Sequence, residues 1–69
     1  MKPEEWVQGF AGEIGEEVPS EEEFNAILDL AAVAAHSSER TAAPVAAYLA
    51  GRSGRPLAEV QAIADKVAE

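Results

Sequence analysis

Sixty-nine residues, thirteen acids against five bases and no cysteine bound what this chain can be. The length allows one small domain, no disulfide can staple it, and a formal charge of −8 argues against nucleic acid, whose phosphate backbone needs a clustered Lys/Arg surface. A domain of this size buries only about 60% of its unfolded surface, and its core supplies no more than about 3–5 kcal/mol unless oligomerisation or docking on a larger partner reinforces it. The opening MKPEEWVQGF has no apolar signal core, and no run approaches the ~20 residues that span a bilayer. With no cysteine to oxidise, the expected compartment is the cytoplasm, with neither membrane nor nucleic acid as partner.

The predicted elements begin with a helix over about residues 3–14. Pro3 suits a first turn, where its missing N–H costs nothing, and Glu4 and Glu5 meet the positive end of the dipole. Trp6, Phe10 and Ile14 recur every four residues beside Val7, which makes one apolar stripe. Gly9 and Gly12 each weaken the interior by up to ~1 kcal/mol relative to alanine, unless they serve the close approach of a neighbour. Gly15 supplies a left-handed stop.

A second helix over 20–37 has the clearest start. Ser20 followed by Glu23 is a capping box, with Val18 and Phe24 as a hydrophobic staple. Phe24, Ile27, Leu28, Ala31, Ala34 and Ala35 form a broad apolar face. Its alanines bring little area each, so a large residue such as Trp6 is expected against them. Thr41 suits the N-cap of a third helix over 41–50, with Pro44 in the first turn, Val45, Tyr48 and Leu49 as apolar positions and Gly51 as the stop. Gly51 to Arg55 reads as a turn. Pro56 then opens a fourth helix over 56–68 whose inward positions are Leu57, Val60, Ile63, Ala64 and Val67. With no β-pattern and no internal repeat, the fold class expected is all-α, a compact bundle of four short helices forming one domain over 1–69.

Most site chemistry is absent from the sequence. One histidine without cysteine cannot build the usual zinc sets, and GRSGR lacks the spacing of a phosphate-binding loop and has no strand before it. One histidine and four scattered serines make no case for a nucleophilic triad. The acidic run EEVPSEEE does not follow the alternating ligands of a calcium loop and is better spent complementing a helix start. The small acidic proteins that carry acyl groups are also four-helical, but Ser20 sits in P-S-E rather than D-S-L. We therefore expect no enzyme, no cofactor and no catalytic residue.

One constellation remains. At 100° per residue, Asp29, His36 and Arg40 fall within about 40° of one another if the helix stays continuous that far, opposite Phe24, Ile27 and Ala31. As a contact surface, Asp29 fixes the tautomer or charge of His36, and His36 with Arg40 binds an anion or an acidic partner group. As plain structure, His36 and Arg40 complement a helix C-terminus and Asp29 is solvated. Arg52 and Arg55 extend that basic surface or simply decorate a turn.

Three stretches carry a resemblance: Asp29–His36 (DLAAVAAH), Arg40–Pro44 (RTAAP) and Tyr48–Gly51 (YLAG). They resemble a small bacterial helical domain of unknown function that is fused to, or encoded near, molybdenum cofactor guanylyltransferases. Its wording is an LDLA-like helix, an A-H pair, an R-P-A-A-P step and an aromatic-Leu-x-G close; Thr41 stands here where a proline is usual. The resemblance implies an accessory or protein-interaction domain linked to molybdenum cofactor biosynthesis, with the guanylyltransferase as a partner. It does not imply guanylyl transfer, because no Gly-rich nucleotide-binding module is present. Two other classes stay open: a small anion or nucleotide-cofactor carrier, and a homo-oligomerising structural module.

Overall fold

The computed structural model describes every residue from Met1 to Glu69. It contains four α-helices and no strand: α1 (Pro3–Ile14), α2 (Glu21–Ser37), α3 (Ala42–Ser53) and α4 (Leu57–Ala68). The architecture is an all-α bundle, as the apolar periodicity requires.

Local chemistry writes most of the helix ends. Pro3 is the first residue of α1, and Gly15 ends it in the left-handed region at φ 77°. There the N–H groups of Gly15 and Glu16 reach the carbonyls of Gly12 and Ala11. The capping box of α2 is complete: Ser20 Oγ accepts the Glu23 N–H at 3.1 Å, and Glu23 Oε1 accepts the Ser20 N–H at 2.9 Å. Two otherwise orphaned donors are thereby satisfied. α2 stops at Ser37, whose hydroxyl donates back to the Val33 carbonyl, and Ser38 leaves helical geometry at φ −138°, ψ −109°.

The third helix departs from expectation at both ends. Thr41 makes no side-chain cap and already has helical dihedrals, φ −66° and ψ −20°. A cap side chain works from an extended backbone. Here a preceding turn replaces it, since the Glu39 and Arg40 carbonyls take the N–H groups of Ala42 and Ala43. Nor does Gly51 stop the helix, which runs on to Ser53 and turns out at Gly54, φ 70°. A helical glycine costs only about 1 kcal/mol relative to alanine, and the left-handed stop falls at the second glycine, Gly54. The Ser53 hydroxyl strengthens that stop by donating to the Ala50 carbonyl and accepting the Arg55 N–H. Pro56 lies just outside α4 at ψ 142°, and its carbonyl accepts the Val60 N–H.

α2 is the hub. Both α3 and α4 pack on it, and Leu30 at its centre is only 4% exposed. α1 joins along one edge of the N-terminal half of α2. There Val7, Val18, Phe24 and Leu28 line an open groove of about 580 Å³, so the expected staple residues Val18 and Phe24 share one depression. The inward residue of α1 is Ala11, 5% exposed; it and Leu30 are the two buried residues of the chain. Trp6 does not lie against the α2 alanines as its place in the stripe predicts. It is 57% exposed and stacks on Phe10 of its own helix, ring centroids 5.0 Å apart. Val7 and Ala11 occupy the neighbouring sector of the helix and take the inward position instead. Gly9 and Gly12 face open space, so no neighbour uses their missing side chains.

Candidate functional site

Asp29, His36 and Arg40 are all exposed, as an outward stripe requires. The helix does not carry all three: α2 ends at Ser37, and Arg40 belongs to the turn before α3. Asp29 lines a groove of about 430 Å³ between the N-terminal parts of α2 and α4, with Glu22, Glu23 and Gln61 around it. His36 sits at the far end of the same seam beside Asp65 and Glu69. Seven residues of helix separate the two by about 10 Å along the axis. No hydrogen bond or ion pair joins any two of the three. An orienting hydrogen bond from the His36 imidazole to the Asp29 carboxylate is therefore absent, and the surroundings of His36 are acidic rather than basic. Gln61, which sequence reasoning passed over, donates to Asp65 and leaves a buried Oε1 without a partner beside the Asp29 groove. Its position one turn before Asp65 was the available signal.

The larger feature is apolar. A folded monomer of 7.3 kDa has about 4,200 Å² of accessible surface by the usual mass scaling. This chain exposes 5511 Å², roughly 1,300 Å² more than that scaling. Its radius of gyration, 12.4 Å, likewise exceeds the ~11 Å of a compact chain this long. Part of the uncovered surface lies in two stripes, and Val67, expected to face inward on α4, is 81% exposed as well. On α1, Trp6, Phe10 and Ile14 line up between Glu5 and Glu13. On α3, Val45 and Tyr48 stand out from the helix, with the Arg52 guanidinium 5.4 Å from the Tyr48 ring. A third depression of about 410 Å³, between α2, α3 and α4, is lined by Leu30, Leu49, Val60 and Ile63 among others.

A family model described as a domain of unknown function (DUF6457) matches residues 2–69. The chain belongs to that family. No curated protein and no solved structure matches it. The match spans all four helices of this DUF6457 domain, so both apolar stripes lie inside it. No helix of the domain is long and apolar enough to cross a membrane.

Proposed function

We propose that this DUF6457 domain is a cytoplasmic accessory module that binds another protein and has no catalytic activity of its own. The observation that supports the reading is the uncovered apolar surface: Trp6, Phe10, Val45 and Tyr48 are each at least half exposed in a chain with two buried residues. Contiguous apolar surface beyond a few hundred Å² marks an interaction site. The partner we propose is a molybdenum cofactor guanylyltransferase, on the resemblance of Asp29–His36, Arg40–Pro44 and Tyr48–Gly51 described above. Asp29, His36 and Arg40 then act as separate polar contacts at the rim rather than as one site, as fits their spacing.

Co-purification of the full chain with the guanylyltransferase of the same genome tests the pairing. The expected result is a complex that Arg40→Glu abolishes while the helical circular dichroism is unchanged. Binding that survives Arg40→Glu removes the rim assignment, and no complex at all removes the partner. An anion-carrier reading draws on one observation, that Arg40 and Arg52 have no ion-pair partner within the chain. Nuclear magnetic resonance titration with nucleotides and inorganic phosphate checks it; resonances around Arg40 and Arg52 that stay fixed at millimolar ligand exclude it.

A further inference from the structure

We propose that the uncovered faces of α1 and α3 are the two halves of a single contact, closed by a second copy of this chain. The first argument is charge. From Pro3 to Glu23 the chain has eight glutamates and no base, whereas from Arg40 to Ala58 it has three arginines and no acid. Glu5 and Glu13 flank the aromatic stripe of α1, whereas on α3 the Arg52 guanidinium lies over Tyr48 and Arg40 precedes the helix in its entry turn. Within one chain these charges do not meet: the single ion pair is Arg55 with Glu59, and α3 packs on α2 rather than on α1. Two α1 faces brought together set carboxylates against carboxylates, and two α3 faces set arginines against arginines. Only α1 against α3 of another copy satisfies both rims.

The second argument is area. A twofold pair makes the α1–α3 contact twice, so each chain uses both of its stripes while the apolar groove between α2, α3 and α4 stays open to another partner. The chain exposes roughly 1,300 Å² more than a compact monomer of its mass, and the half-exposed Trp6, Phe10, Ile14, Val45 and Tyr48 of the two stripes are part of that excess; a stable pair buries about 1,200–2,000 Å² in total. Trp6, Phe10 and Tyr48 are the residue types that dominate such contacts. Pairing would also supply the reinforcement that a core of Ala11 and Leu30 lacks.

Sedimentation equilibrium of the full chain, from low to high micromolar concentration, tests the proposal. The expected mass is twice 7.3 kDa, with Phe10→Ala and Tyr48→Ala each weakening association at least about tenfold. Charge reversal gives the sharper reading. A chain with Glu5→Lys and Glu13→Lys, and another with Arg40→Glu and Arg52→Glu, should each sediment as single chains with unchanged helical circular dichroism. Their mixture should recover the paired mass. A single-chain mass at every concentration, an assembly that grows without limit, or a mixture that fails to pair would each overturn the proposal. A monomeric chain that still captures the guanylyltransferase would overturn it while leaving the proposed function standing.

Discussion

α1 and α2 are both amphipathic helices with well-written ends, yet their apolar faces meet different fates. α3 and α4 cover the side of α2 that holds Leu30, which lies almost wholly inside, while Leu28 of the expected face is left 53% exposed. α1 has the larger side chains in its stripe, and these are the ones left outside; the small Ala11 is turned in. Apolar periodicity states that a face must be covered but not what covers it. The difference implies two kinds of position: those whose loss unfolds the chain, and those whose loss is felt only when something docks.

The largest expected effect comes from breaking the covered face. Leu30→Ala should destabilise by about 3 kcal/mol, nearly the whole stability of so small a domain, as read by urea unfolding at fixed protein concentration. Phe10→Ala, measured where the chain is dilute enough to be single, should cost under about 1 kcal/mol, because its ring is half exposed. Equal losses at the two sites would erase the distinction. Next in size is the pair of glycines near the end of α3. Gly54→Ala should cost about 1–2 kcal/mol, since it forces a Cβ into the left-handed region at φ 70°. Gly51→Ala should instead stabilise by about 0.5–1 kcal/mol, as the position is helical and the added methyl meets open space. Thermal unfolding of the two variants should move in opposite directions.

A similar contrast separates the helix starts. Ser20→Ala should cost about 1 kcal/mol by removing the capping hydroxyl of α2. Thr41→Ala should change stability by no more than a few tenths, because its side chain caps nothing. The smallest effect belongs to the exposed Arg55–Glu59 pair. Glu59→Gln should cost about 0.3–0.5 kcal/mol at low salt and nothing measurable at high salt.

How much was legible follows from where the information resides. The α1 boundaries, the Ser20–Glu23 capping box and the Gly15 stop were readable because each depends on a few adjacent residues. The end of α3 was not, since Gly51 and Gly54 offer the same left-handed freedom and the choice rests on the balance of continuing a helix against stopping it. That Asp29, His36 and Arg40 do not share one continuous helix was not legible for a related reason. Their common stripe presumed that α2 passes Ser37, whereas Ser37 bonds back to Val33 and Ser38 breaks the helical geometry.

The sequence by itself determined that the chain is all helical, roughly where its four helices run, and that its charge divides into an acidic first third and a basic middle. These are properties of short windows: periodicity, caps and composition. Only the tertiary structure decided which apolar residues are spent on the bundle and which remain uncovered. Each helix offers more than one apolar sector, and packing on α2 selects among them by the shape of the neighbours. On α1 that selection favoured Val7 and Ala11 and left Trp6, Phe10 and Ile14 facing outward.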